Sequence, residues 1–317
     1  LVCQAFSKWN HAIALSWLAH DNLCLDNIYR NGSDLVRKKY VPKLCSGELV
    51  GCLGLTEPGA GSDALGSMKT TAKRQGTNYV LNGSKTYITN GAIADIILVY
   101  AKTDTKKGNK GISAFIVETK ALGFKVVSKL KKMGYRGSQT AEIFFDNCKV
   151  PVENMIGSEG TGHITIMNGL DFERAMIAPI CLGISQRALE ISIEYAKIRE
   201  QFGKPISSFQ MIQSKIANMY TWVEAIKSIV YSVLSECDNI DKKLAGKGEI
   251  HINTSASVMF ASTTSNKVLN EAVQIHGGMG YMWESEINRL YRSSKLLDIG
   301  AGTTEIRKKI IAEGLLH

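Results

Sequence analysis

Proline is scarce in this chain, with five in 317 residues, and no Cys-x-x-Cys spacing occurs among the seven cysteines. No uninterrupted apolar run approaches the about 18 residues of a membrane span; the stretches Ile13–Ala19 and Ile93–Ala101 are far shorter. Internal repeats and low-complexity tracts are also lacking. Each absence excludes a class. A collagen-like chain and a disulfide scaffold are ruled out, and no membrane span is expected. An odd, scattered set of cysteines (3, 24, 45, 52, 148, 181, 237) predicts reduced thiols and an intracellular compartment. Leu1–His20 has no basic segment leading into a clean apolar core, because Trp9, Asn10 and His11 interrupt it; it reads as a helix, not a signal peptide.

What is present is ordinary globular composition: 44% hydrophobic and 21% charged residues exclude disorder. The net charge is +9, yet its densest clusters, Lys129–Lys132 and Arg307–Lys309, are too short for a nucleic-acid footprint. A dispersed basic surface suits phosphate-bearing small molecules or an acidic protein partner.

Many of the 29 glycines fall between residues 51 and 162, which predicts a turn-rich middle and a helix-rich second half. Residues 1–30 have helical spacing with a stop at Asn31-Gly32, and a second helix is expected from Ser33 to Tyr40, ended by Val41-Pro42. Runs at 79–81, 96–100, 113–117 and 142–145 read as strands, separated by turn signals at Asn82-Gly83, Asn90-Gly91, Gly108-Asn109 and Asp146-Asn147. Short strands without intervening helices predict an antiparallel barrel or sandwich. Long helices are expected at 163–200, with a kink at Pro179, at 207–236 capped by Ser207 or Ser208, and at 249–276. Shorter ones follow at 284–297 and 303–315. The expected fold is α+β: N-terminal helices over 1–48, a middle β-barrel over 49–160 and a C-terminal four-helix bundle over 161–317.

Five strings can carry chemistry, and each has a plainer structural reading beside it. Leu55–Asp63 packs small residues between Thr56 and Ser62, as an anion-binding nest or as a Gly-rich hairpin turn. Thr86–Gly91 sets an aromatic among threonines, suited to a planar ring or simply to a strand entering a turn. Arg199 either meets a phosphate or complements the end of a helix capped by Gly203. His276, with no nucleophile or metal-ligand spacing near it, reads as a packed helix-end histidine, and no metal site is expected. Glu173 interrupts the apolar stripe 166, 169, 170, 173, 176, 177, 180. It reads equally as a desolvated base or as half of a buried salt bridge to an Arg of another helix.

Leu53–Asp63, Tyr87–Thr89, Arg-x-x-Phe-Gly at 199–203, Gln-x-x-Gly-Gly at 274–278 and Gly-Thr-Thr-Glu-Ile-Arg at 302–307 occur together, and in this order the set resembles the acyl-CoA dehydrogenases over essentially the whole chain. Set against that family, its first N-terminal helices are missing here. Most members place a catalytic Glu immediately before the last Gly-Thr, where this chain has Ala301; the branch acting on isovaleryl-CoA places it in a Gly-Leu-Asp-x-Glu-Arg string, present here as 169–174. Long-chain members also move the base, but their surrounding strings match less well. The chain therefore resembles the isovaleryl branch most.

The resemblance implies an FAD enzyme that dehydrogenates a short branched acyl-CoA, isovaleryl-CoA to 3-methylcrotonyl-CoA in leucine catabolism. Glu173 would take the α proton while the β hydrogen leaves as hydride to flavin N5. Backbone N–H near Ala301 and a flavin ribityl hydroxyl would hold the thioester carbonyl. Leu53, Leu55, Thr56, Gly61, Ser62, Tyr87, Ile88 and Thr89 would line the flavin. Arg199, Phe202, Gln210, Gln274, Ile275, Gly277, Gly278, Thr303, Thr304 and Glu305 would also bind FAD, some from a neighbouring subunit. Ser62, Tyr100, Ala101, Asp171, Arg174, Ile177, Gly300, Ala301 and Gly302 would meet the substrate, and Ile164 stands where isovaleryl-type members tend to have Tyr. Electron transfer flavoprotein as acceptor, a homotetramer, and a mitochondrial matrix location in a eukaryote or a cytoplasmic one in a bacterium are implied in the same way. Other chain preferences, a non-catalytic homologue that acts as a binding module, and an acyl-CoA oxidase, disfavoured by length, remain as alternatives.

Overall fold

The computed structural model describes residues 1–239 and 248–316; residues 240–247 and 317 of the expected C-terminal domain lie outside the described residues. Contacts divide the chain into two compact units, one of residues 15–131 and 136–170, the other of residues 1–14, 132–135 and 171–317.

The first unit contains an eight-stranded sheet. Its strands are β1 (Gly51–Gly54), β2 (Thr71–Gln75), β3 (Asn78–Thr89), β4 (Ile96–Lys102), β5 (Ile112–Glu118), β6 (Phe124–Lys129), β7 (Thr140–Pro151) and β8 (Met155–Ile156). The order is β6-β7-β3-β2-β4-β5-β8, with β1 paired to β4. The expected closed antiparallel barrel is corrected to an open, mixed sheet, because β1 and β2 both meet β4 in parallel and β6 and β8 are not joined. Strand β4 explains why the sheet is covered on both faces. Ile97, Val99 and Ala101 enter one core with Tyr79, Leu81, Phe115, Ile143 and Phe145. The alternate residues Ile96, Leu98 and Tyr100 enter a second core with Cys24, Ile28, Val36, Tyr40 and Leu44 from the helices before the sheet. A strand buried on both sides reads as a continuous apolar run, as this one does.

Two predicted turns are one bulge. Asn82-Gly83 and Asp146-Asn147 lie inside β3 and β7, where the register steps from Leu81↔Cys148 to Gly83↔Phe145. Asn147 takes φ 50° and its N–H donates to Asn82 Oδ1 at 2.8 Å. Gly83, at φ 144°, passes so close to Thr70 that a Cβ would stand 2.7 Å from that residue's Cα, so only glycine fits.

The preceding helices are α1 (Val2–Leu18), a π-helical stretch Ala19–Asp26, α2 (Asn27–Asn31) and α3 (Asp34–Cys45). Ser33 caps α3 as its side chain accepts from Val36 N–H. Pro42 lies inside α3 and does not end it. The carbonyl of Lys38 loses a partner there, but Lys38 is exposed and water can meet it.

The second unit is helical, with α4 (Gly162–Ile198) entering it at Asp171, then α5 (Gln210–Asp238), α6 (Gly248–His276), α7 (Gly278–Tyr281), α8 (Glu286–Ser294) and α9 (Thr304–Leu316). Helix α6 packs against α5, α8 and α9. Helix α4 runs through Pro179 as one element. By length and composition it could cross a membrane, but 67% of its most apolar window is buried inside the protein, the setting of a core helix. Phe202-Gly203 is not its cap. The helix ends at Ile198, and those two residues, at φ 54° and 75°, turn a small hairpin between β9 (Glu200–Gln201) and β10 (Lys204–Pro205). Ser207 and Ser208 fall in a 3-10 turn, and Phe209 occupies the N-cap of α5.

Candidate active site

Glu173 lies on α4 beside two arginines but pairs with neither: among the described residues it has no hydrogen bond or ion pair. Burial pushes its carboxyl up to about 7, against the charges of Arg174 and Arg307, which pull it down. The salt-bridge reading of Glu173 is therefore not what the side chain does. Arg174 instead meets the buried Asp171 at 3.1 Å, and its Nε donates to the Ala301 carbonyl at 3.2 Å. His251 Nδ1 lies 2.6 Å from the same Asp171 oxygen, a contact the sequence gave no sign of. Asp171 is thus enclosed and held by its protein partners. Arg307 is fully buried and donates to Ser262 Oγ and to the carbonyls of Leu297 and Gly300.

Those bonds tie down the segment Gly300–Glu305. Ala301 has φ 56° and Gly302 φ 93°, left-handed conformations that turn the chain into α9. The Thr303 hydroxyl accepts from Ile306 N–H at 3.4 Å, Thr304 Oγ1 donates to the Asp298 carbonyl, and Glu305 lies exposed in the first turn. A Cβ at Gly300 would meet nothing closer than the Leu296 carbonyl at 3.5 Å. Ile177, one turn beyond Glu173, is buried. The chain thus holds a raised carboxyl on one element and a loop of small residues with turned backbone on another, linked through Arg174.

A cleft of about 530 Å³ in the helical unit is lined by residues expected at the cofactor: Arg199, Phe202, Ile275, Gly277 and Gly278, joined by Tyr195, Phe209 and Met279. Phe202 is 93% exposed at the hairpin tip, and Gly277 takes φ 56° with open space where a Cβ would stand. His276 is packed, as expected. Its Nδ1 lies 2.7 Å from the Ala272 carbonyl, its ring stacks on Tyr195 at 4.4 Å, and burial lowers its pKa. Gln210 and Gln274 are exposed and do not line this cleft.

In the sheet unit, the segment 53–62 leaves β1 and closes a tight turn through the Glu57↔Ala60 bridge, not a hairpin between neighbouring strands. Thr86 N–H donates to the Thr56 carbonyl at 2.9 Å, which brings the two motifs together. Tyr87, at φ 58°, stands 70% exposed, while Ile88 is buried and Thr89 half-buried. Leu53, Leu55 and Thr56 are half-buried, and Gly61 and Ser62 are exposed. Tyr100 and Ala101 have no exposed surface in β4, and Ile164 is exposed.

In the sheet unit an exposed aromatic on a bulge suits a planar ring system, and in the helical unit turned glycines with room beside them and an exposed arginine at an apolar cleft suit a phosphate-bearing ligand; taken unit by unit, the residues present suit FAD. Three family models cover nearly the whole chain: the acyl-CoA dehydrogenase N-terminal domain over residues 1–48, the middle domain over 52–148 and the C-terminal domain over 160–316. A mitochondrial isovaleryl-CoA dehydrogenase of Arabidopsis thaliana is 44% identical, covering 99% of this chain and 75% of that protein. The solved butyryl-CoA dehydrogenase of Megasphaera elsdenii superposes with a TM-score of 0.94 at 39% identity, over 99% of this chain and 80% of that one. An FAD complex of PigA matches at a TM-score of 0.91 and 31% identity, over 99% and 80%. The chain belongs to the acyl-CoA dehydrogenase family of FAD-dependent oxidoreductases.

Proposed function

We propose that this enzyme takes a short branched acyl-CoA, isovaleryl-CoA foremost, to its α,β-unsaturated thioester, 3-methylcrotonyl-CoA, with Glu173 as the base. The observation that carries this reading is a carboxyl on α4 raised to about 7 and left without an ion-pair partner among the described residues, in a chain whose position 301 is an alanine. A carboxylate with a pKa near neutrality is half ionised at working pH and basic enough to accept an α proton. Turned backbone at Ala301 and Gly302 offers N–H groups to the thioester carbonyl, which acidifies that proton. Arg174 holds the Ala301 carbonyl, and with it this loop. Gly300 leaves room for a methyl branch, and Ile177 borders the acyl chain. In this reading Tyr87, Thr56 and Ser62 line the flavin, and Arg199, Phe202 and Gly277 bind FAD as well, some of these residues reaching it from a neighbouring subunit. When bound, FAD supplies the hydride acceptor. Electron transfer flavoprotein then receives the electrons, in a homotetramer of this chain. The mitochondrial matrix is its place in a eukaryote and the cytoplasm in a bacterium.

An anaerobic absorption titration tests the substrate. Isovaleryl-CoA is expected to bleach the flavin bands faster than butyryl-CoA or octanoyl-CoA. Rapid bleaching by a straight chain with none by isovaleryl-CoA would overturn the branched-chain reading.

A further inference from the structure

A buried ion pair in the sheet unit has no part in the chemistry above. Lys85 Nζ stands 2.8 Å from Glu57 Oε1, with 0% of the lysine side chain and 5% of the glutamate exposed. Two charges taken out of water gain little over a well-packed apolar pair, so stability alone does not account for them. What they add is direction. Lys85 Nζ also donates to the Leu55 carbonyl at 3.1 Å. Glu57 accepts from Lys69 N–H at 2.6 Å, from Thr70 N–H at 3.0 Å and from the Thr70 hydroxyl at 2.5 Å. Every one of these groups lies within the same unit.

The position of the pair in sequence matters as much as its bonds. Glu57 directly follows Leu55-Thr56, and Lys85 directly precedes Thr86-Tyr87. Beside the pair, the Thr86 N–H to Thr56 carbonyl bond stitches the same two segments. Immediately after Lys85 the pairing of β3 with β7 shifts register, and within that shift Tyr87 takes its left-handed conformation and turns outward. The lysine is thus the last inward anchor before the bulge that presents the aromatic ring.

We propose that Lys85 and Glu57 are positioning residues for the cofactor: their ion pair locks segment 55–57 against segment 85–87, so that the Leu55-Thr56 backbone and the Tyr87 ring stand ready for the flavin before it binds. This rests on the reading of Thr56 and Tyr87 as flavin-facing. A surface ordered in advance binds more tightly, because the ligand does not have to order it.

The test is FAD titration of the deflavinated protein, read as Kd and as visible circular dichroism of the bound flavin, with Tm measured alongside. The double variant Lys85→Met/Glu57→Gln removes both charges at nearly constant volume. It is expected to keep Tm within a few degrees of the parent, to raise the FAD Kd at least about tenfold, and to alter the dichroism of the bound flavin. A Kd within twofold of the parent overturns the proposal. Thr70→Val, which removes the hydroxyl's bond to Glu57 and its longer one to the Ser84 carbonyl while leaving the ion pair in place, is the milder arm should the double variant fail to fold. It is expected to raise Kd about threefold, and an unchanged Kd there counts equally against the pair. Tyr87→Ala separates this proposal from the reading beneath it. A Kd unmoved by Tyr87→Ala removes the flavin from this surface; a Kd raised by Tyr87→Ala but not by the double variant leaves the surface and removes the strut.

Discussion

Two glutamates, one in each unit, show how surroundings decide what a carboxyl does. At Glu57 burial by itself would raise the pKa, but the charge of Lys85 and bonds from Lys85, Thr70 and Lys69 more than offset it, and the carboxyl stays ionised below its usual range. At Glu173 burial also raises the pKa, and here the arginines are spent on Asp171 and on backbone carbonyls, so the carboxyl settles at about 7. A fully bonded carboxylate can hold a structure but has no lone pair to offer. An unbonded one costs stability and gains basicity.

The contrast can be broken from either side. Lys85→Met alone leaves Glu57 buried without its cation, and stability is expected to fall by about 3–5 kcal/mol, as for other buried pairs cut on one side. Denaturant unfolding would measure this, and a loss under about 1 kcal/mol would mean that water already solvates the site. The Glu173 side gives a smaller and opposite effect with pH. Its folded pKa, about 7, lies above the unfolded 4.5. The folded chain therefore keeps a proton that the unfolded chain gives up, and stability is lost as pH rises from about 4.5 to about 7, by at most about 3 kcal/mol. Glu173→Gln has no such proton. It should match the parent near pH 4 and be the more stable of the two at pH 8. Parallel stability curves for the two proteins across that range would show that the carboxyl is not shifted.

Much of this contrast was half legible in the sequence. Glu173 announced itself as a charge in an apolar helical stripe, but nothing in the local string decided between base and ion pair, because the choice depends on where Arg174 and Arg307 spend their hydrogens. Glu57 and Lys85 gave no signal, since 28 residues separate them and each sits in a string already read as something else. The same limit governs the fold. Helix α6 and strands β4 and β5 came out where their patterns put them, because long helical periods and fully apolar runs are decided locally. Asn82-Gly83 and Asp146-Asn147 did not, because such pairs suit a turn and a bulge equally and only the partner strand chooses. Phe202-Gly203 misled for the same reason, serving a hairpin and not a helix end. The gathering of Arg199, Phe202, Ile275 and Gly277 at one cleft followed from family resemblance alone; no spacing brings together residues more than 70 positions apart.

The claim on which the account turns is that Glu173 is the proton acceptor. Anaerobic single-turnover reduction of the bound flavin by isovaleryl-CoA, with the parent and Glu173→Gln loaded equally with FAD, tests it most directly. The variant should bind FAD and substrate as the parent does and lose about 10²–10⁴ in rate, the loss expected of a missing general base. A rate within a few-fold of the parent would contradict it.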